Sequence, residues 1–304
     1  MLLETLSLRT RVSLDSLEKI AASASKRYKT YEIPKRTGGV RVISHPSKTL
    51  KAVQRWLTRN ILSVAAVHDS ATAYEKGRSI YANATRHAGS KYTLRMDFKD
   101  FFPSFDAKSV ANFLRSLSRE HNIPLTDDDI YFAVRIFCKN GRLTIGAPSS
   151  PKITNAMMYD FDVAVHDLIV DKNIIYSRYA DDIFLSCFDK GQIALIMQQI
   201  RDLVSSYNKP ILILNEEKTI YLSKAGHRSI TGLVLTSDGR VSLGRDRKRH
   251  IRSLVYKALT KSISQVDRGF LAGMIAFASD VDSDFVNSLS QKFEIDVREL
   301  AKRL

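Results

Sequence analysis

A chain of 304 residues that is 44% hydrophobic and 26% charged is too apolar for a disordered polymer and long enough for one large domain, or a body with a small appendage. The longest apolar stretch, Phe270 to Ala278, is too short to span a bilayer, and the N-terminus meets Glu4 before any apolar core, so neither membrane anchor nor signal peptide is expected. The 47 Lys and Arg against 32 Asp and Glu leave a net charge of +15, which points to an anionic partner.

The excess is local. Residues 1–60 hold 13 basic and 4 acidic side chains, residues 240–261 hold 8 and 1, and the rest of the chain is close to neutral. Two basic zones on a neutral body suit a nucleic acid held at two places, although a solvated cationic surface would look similar.

In chain order, Leu14, Leu17, Ile20, Ala21 and Ala24 recur at helical spacing and predict an amphipathic helix over 14–27. Two β-prone runs follow, joined by Thr37-Gly38-Gly39, and predict a hairpin with Pro34 near its tip. Helical spacing returns at 48–64. Residues 91–98 read as a strand, followed by a break at Pro103 and a helix over 107–119. Pro148 and Pro151 bracket a helix start, with Ser149 or Ser150 as N-cap and the helix running through Leu168. Residues 174–187 read as two strands with a tight turn at paired aspartates. A helix at 191–206, a strand at 210–214 and a hairpin of 230–235 with 240–243 come next. After Gly244 the pattern is helical to the end. The order is mixed α+β with an all-α tail, giving an expected division into 1–243 and 244–304. Cys138 and Cys187 lie far apart with no CxxC spacing and read as reduced thiols of a cytoplasmic protein.

Tyr179-Ala180-Asp181-Asp182 carries the most chemistry. Two adjacent carboxylates interrupt an otherwise buried hairpin, which is costly unless cations or donors neutralise them. Asp97 ends another hydrophobic strand. Three carboxylates at two strand ends form a hard oxygen set suited to Mg²⁺, and two such ions could activate an attacking hydroxyl and stabilise a leaving pyrophosphate. Taken singly, each aspartate could instead be a turn residue or a strand end.

RMDFKDFF (95–102), GAPSSP (146–151), YADD (179–182) and NEEKT (215–219) stand in the order and approximate spacing of the reverse transcriptase palm motifs, and the chain resembles that family over roughly residues 30–245. The resemblance implies a right-hand polymerase fold of fingers, palm and thumb, with an antiparallel palm sheet and an all-α C-terminal thumb. It implies two Mg²⁺ ions at Asp97, Asp181 and Asp182, with dNTPs as substrates. Phe102 matches the steric gate against a ribose 2′-OH, though an ordinary core aromatic would look the same. Gly146, Ala147 and Pro148 match the segment packed against the incoming nucleotide and template, where close backbone approach favours Gly. Lys218 matches a lysine that protonates the departing pyrophosphate. Lys35, Arg36 and Arg41 of the first hairpin match residues that hold the triphosphate, a bidentate task suited to Arg. Ile145 departs from the pattern, since many relatives carry Gln there.

Asn83-Ala84-Thr85-Arg86-His87 fits the NAxxH element of retron reverse transcriptases, and Ile230-Thr231-Gly232 stands where they carry VTG. The compact length, with no maturase-like extension, matches that branch. The resemblance therefore places Asn83, His87, Thr231 and Gly232 among RNA- and template–primer-binding residues. Arg245, Arg247, Lys248, Arg249, Arg252 and Lys257 join them on the thumb, where phosphate contacts give affinity and RNA shape gives selectivity. It implies a cognate non-coding RNA as template and primer, an RNA–DNA hybrid product primed from a guanosine 2′-OH, and a role in phage defence beside an accessory effector protein.

Overall fold

The computed structural model describes residues 2–35 and 38–304. Two short helices, α1 (Leu2–Thr10) and α2 (Leu14–Ala22), lead into the hairpin β1 (Tyr28–Pro34) and β2 (Val40–Pro46), then α3 (Lys48–Asn60). The helix expected over 14–27 stops at Ala22 and continues only as a 3₁₀ turn, because the Ser23 hydroxyl and N–H both turn back onto the carbonyl of Lys19.

The centre is α4 (Ile80–Ala88), β3 (Tyr92–Asp97), α5 (Ala107–Glu120), α6 (Asp127–Phe137), α7 (Ser150–Met157), α8 (Tyr159–Ile169), β4 (Ile175–Tyr179), β5 (Asp182–Cys187), α9 (Lys190–Ser206) and β6 (Ile220–Ser223). Side-chain caps from Ser47, Ser79, Asp106 and Thr126 open α3, α4, α5 and α6, and Thr126 with Asp129 closes a full capping box. The helix expected from Ser150 to Leu168 breaks at Met158 into α7 and α8. The strands form a four-stranded antiparallel sheet in the order β4-β5-β3-β6. Residues 210–214, expected as a strand, make isolated bridges only, Phe98 with Leu214 and Asn208 with Ile211.

The C-terminal part holds β7 (Arg228–Ile230), β8 (Leu233–Leu235) and β9 (Val241–Ser242), followed by α10 (Arg245–Leu259), α11 (Gln265–Val281), α12 (Ser283–Phe293) and α13 (Val297–Lys302). The run 230–235, expected as one strand, doubles back between β7 and β8. Thr231 and Gly232 take φ of +48° and +80°. Positive φ at both central residues suits a two-residue hairpin turn, and Gly adopts it freely where a β-branched Thr does not.

Two hydrophobic cores result. The larger packs helices α1–α3 and α5–α9 against one face of the four-stranded sheet. The smaller joins α10–α13 to Ile230, Leu233, Leu235 and Leu243, and also to Ala84 and Ala88 of α4 and Phe184 of β5. The C-terminal core thus reaches back past residue 243, because a helical tail with apolar faces buries them on the nearest strands and helix available.

Candidate active site

Asp97 is the last residue of β3 and Asp182 the first of β5, and the register pairs them directly across the strands. Asp181 sits in the two-residue turn between Tyr179 and Asp182, whose first residue, Ala180, has φ +56°. The Phe98 N–H donates to the Asp181 carbonyl at 3.1 Å, and the Asn215 N–H to the Asp97 carbonyl at 2.7 Å. Asp97 on β3, Asp182 on β5 and Asp181 in the β4–β5 turn therefore lie at the same end of the sheet.

Their charge is only partly balanced. Lys218 Nζ lies 2.8 Å from Asp97 Oδ1, and Arg95 Nη2 lies 2.9 Å from Asp182 Oδ1. Among the described residues no such partner meets Asp181, which burial and then the charges of Asp182 and Asp97 push up to about 6. Asp182 is also raised by burial, against the pull of Arg95. In this conformation no three His, Cys, Asp or Glu side chains among the described residues stand together as a metal cluster. The donor chemistry nevertheless fits a hard divalent cation: oxygen ligands only, with Asp97 buried and Asp181 and Asp182 half-buried, and with more negative charge than Lys218 and Arg95 balance. Arg95 was absent from the sequence expectations, yet it lies two residues before Asp97 on the same strand face, a period-two signal that could have found it.

Tyr74, at φ +64°, packs its ring on Tyr179. Its hydroxyl pKa is raised by burial, Tyr179 and Asp181 and lowered by Arg41, so one ring lies within Coulombic reach of both a turn carboxylate and the hairpin arginine. Lys35 is exposed at the end of β1, and Arg36 lies outside the described residues.

Gly146 is held to glycine by its own backbone and its neighbours. Its φ is +109°, and a Cβ there would stand 2.7 Å from the Ser44 carbonyl oxygen, so the close approach is to the backbone of β2. The Ser44 N–H donates to the Ile145 carbonyl at 2.8 Å, so the residue that replaces Gln holds the hairpin through its main chain. Ala147 is buried and Pro148 half-buried behind this contact. Phe102 is 9% exposed in a 3₁₀ turn, with its ring edge-on to Phe101, and belongs to the larger core.

Asn83 and His87 require a correction. Both are fully buried and offer nucleic acid no surface. The two His87 ring nitrogens lie 2.8 Å from the hydroxyls of Ser186 on β5 and Ser177 on β4, and Ser186 continues to Thr93 on β3 at 2.9 Å. These residues fasten α4 to the sheet. Both amide atoms of Asn83 are buried without a partner among the described residues.

The basic C-terminal residues divide by role. Arg247 donates to the Gly232 carbonyl at 2.8 Å, bracing the Thr231-Gly232 turn, while the Thr231 hydroxyl donates to the Ile80 carbonyl at 3.3 Å. Lys248 pairs with Asp282 at 2.7 Å. Arg249 meets the exposed Asp246, Arg252 is exposed with its guanidinium 5.9 Å over the Phe285 ring, and Arg245 and Lys257 are exposed on α10. The exposed side chains are the ones free to meet phosphates.

Residues 33–266 match the family described as reverse transcriptase (RNA-dependent DNA polymerase). The chain is 36% identical over 275 residues to the retron Ec83 reverse transcriptase of Escherichia coli, spanning 88% of this chain and 86% of that one. It is 30% identical to the retron Ec86 reverse transcriptase of Escherichia coli, over 96% of this chain and 90% of that one. Among solved structures, apo telomerase from Candida tropicalis is similar at a TM-score of 0.50 and 13% identity, covering 90% of this chain and 61% of that chain. That likeness shows a shared mixed helix-and-sheet fold.

Proposed function

The chain belongs to the reverse transcriptases and, among them, to the retron type, and from that premise we propose that it copies part of a structured non-coding RNA into DNA at Asp97, Asp181 and Asp182. Enzymes of this family are RNA-directed DNA polymerases that generally use divalent metal ions and dNTPs. In the proposal, the four-stranded sheet is the palm, β1–β2 belong to the fingers, and α10–α13 form the thumb. The reading rests most heavily on the cross-strand pair Asp97–Asp182 with Asp181 in the adjoining turn.

Two bound Mg²⁺ ions at these carboxylates would supply Lewis acidity at the attacking hydroxyl and the leaving pyrophosphate. The chain's own residues do the rest. Arg95 and Lys218 pair with Asp182 and Asp97 and orient them, and Lys218, half-exposed, is the proton donor for the pyrophosphate. Arg41 and Lys35 hold the triphosphate, Phe102 bounds the sugar, and Arg245, Arg249, Arg252 and Lys257 grip the RNA backbone. The primer is an internal guanosine 2′-OH, so the protein's task is chiefly to position one folded RNA. The branched product acts in phage defence beside an accessory effector protein, a role supported by the family resemblance alone.

The test uses purified protein with RNA template, primer, dNTPs and Mg²⁺. Asp181→Asn and Asp182→Asn should abolish DNA synthesis while RNA binding persists, and wild-type extension by both would sink the assignment. When the protein is expressed with its flanking RNA locus, DNA should co-purify joined to RNA and be released by a 2′–5′ debranching activity. An active enzyme without that branch would end the retron reading and leave the polymerase reading intact.

A further inference from the structure

Arg178 lies on β4, opposite Ile183, and points into the helix-covered face of the sheet. It is fully buried, as is Asp162 of α8. The two form a bidentate pair, Nε to Oδ1 at 2.8 Å and Nη2 to Oδ2 at 2.6 Å, and the Tyr176 hydroxyl donates to the same carboxylate at 2.6 Å. Burial alone would lower the guanidinium pKa, but Asp162 more than reverses it, so the arginine stays charged. Burying two ions costs desolvation at both, and an apolar pair of similar volume holds a fold at least as well. Fold stability is therefore a poor reason for this pair.

The nitrogen that Asp162 leaves free has its own work. Arg178 Nη1 donates to the Ala180 carbonyl at 3.1 Å and reaches Asn155 Oδ1 of α7 at 3.4 Å. Ala180 is the left-handed residue of the turn, a conformation in which a side chain crowds the following carbonyl. Its carbonyl belongs to the peptide that joins Ala180 to Asp181. Asp181 is thus held on both sides, by Arg178 on the peptide before it and by the Phe98 N–H on its own carbonyl. Arg178 also fixes its surroundings through the main chain: its N–H donates to Ser70 O at 2.7 Å, and its carbonyl accepts from Thr72 N at 2.8 Å. Asn155 continues the chain to the Ala73 carbonyl at 2.8 Å and Glu75 at 3.0 Å.

We infer that Arg178 is a positioning residue: clamped by Asp162, it sets the Ala180–Asp181 peptide and ties the carboxylate turn to α7 and the 70–75 segment. The inference rests on the reading of Asp181 as a catalytic carboxylate. A lysine cannot replace it, since one ammonium cannot grip Asp162 in two places and also reach the turn.

The test compares wild type, Asp181→Asn, Arg178→Met with Asp162→Leu, and Arg178→Lys with and without Ala180→Gly. The double apolar variant should melt within about 5 °C of wild type and bind RNA within about twofold, because no unpaired charge remains buried. Its kcat for single-nucleotide addition should fall roughly 10- to 100-fold with the dNTP KM nearly unchanged, as for a reacting group held slightly out of place. Half-saturation by Mg²⁺ should shift upward. Arg178→Lys should lose kcat similarly, and Ala180→Gly should restore part of it, since Gly takes positive φ without the anchor. That rescue is one a merely structural ion pair would not give.

A folded double variant with wild-type kcat and Mg²⁺ dependence overturns the inference, leaving Arg178 as a counterion for Asp162. If the double variant does not fold, Arg178→Lys decides alone: wild-type kcat overturns the inference, and a loss recovered by Ala180→Gly supports it. Activity in Asp181→Asn would instead overturn the catalytic reading on which the inference stands.

Discussion

His87 gives a handle on the seam between α4 and the central sheet. Its ring is fully buried, with a serine hydroxyl 2.8 Å from each nitrogen. A hydroxyl can donate or accept, so a neutral imidazole is satisfied on both sides. Among the described residues a charged imidazole finds no carboxylate partner, and the charge it feels is that of Arg86. Burial first and Arg86 second lower its pKa from 6.5 to about 3. Between those values the unfolded chain binds a proton that the folded chain refuses. Stability from this group is complete above pH 6.5 and is lost as the pH falls toward 3. One proton of difference gives a slope of about 1.4 kcal/mol per pH unit, so the whole interval amounts to roughly 4–5 kcal/mol. His87→Gln keeps an amide in the pocket but does not titrate. It should be less stable at neutral pH by about 1–3 kcal/mol for imperfect hydrogen bonds, and that gap should close and then reverse as the pH is lowered. Asp181, raised from 3.8 to about 6, works in the opposite sense, favouring the folded state as the pH falls between those values. It is present in both proteins and cancels in the difference. Urea unfolding across the acid range measures the two curves, and parallel curves would refute the account of His87 as a neutral strut.

Gly146→Ala should cost at least about 2 kcal/mol from positive φ and collision with the Ser44 carbonyl, read as a lower urea midpoint; an unchanged midpoint would mean the hairpin does not pack there. Phe102→Ala removes a buried ring from the aromatic cluster, which should cost roughly 3 kcal/mol. It should also raise ribonucleotide over deoxyribonucleotide incorporation, and a stability loss with an unchanged ratio would assign Phe102 to the core alone. Neutralising Arg245, Arg252 and Lys257 should weaken RNA binding and flatten its salt dependence by about 0.7–0.9 log units per lost phosphate contact. Lys248→Gln should chiefly lower the melting temperature, because it strips the ion-pair partner from Asp282; the reverse pattern would show that the binding face has been misassigned.

Most of the candidate site was legible because its chemistry is local. Asp97, Asp181 and Asp182 stand at strand ends, and the same β-prone runs that predict the strands bring them together. The polar interior was not legible. Arg178, Asp162 and Asn155 look like surface residues in a linear string, and only folding shows that they share one buried site. His87 and Asn83 were read as RNA-facing because a family motif marks importance without marking depth. The doubling back at Thr231 was hidden for a physical reason too: Ile230, Leu233 and Leu235 look continuous, and a β-branched residue is a poor advertisement for a left-handed turn.

The alternation along β5 explains why the two cores and the site depend on one another. Ile183, Leu185 and Cys187 face the larger core, while Asp182, Phe184 and Ser186 share the opposite face. On that second face, Asp182 holds Arg95, Phe184 enters the core built by α10–α13, and Ser186 meets His87. Three alternate positions on this second face thus meet the candidate site, the C-terminal core and α4 in turn. Arg228 reinforces the join by donating from β7 to the carbonyls of Ala88 and Ser90 at the end of α4. A side chain that shifts the C-terminal helices therefore acts on a strand whose first residue is Asp182. Under the proposed function, where the C-terminal helices grip nucleic acid and Asp182 holds metal, Asp182 and Phe184 on one strand link the two.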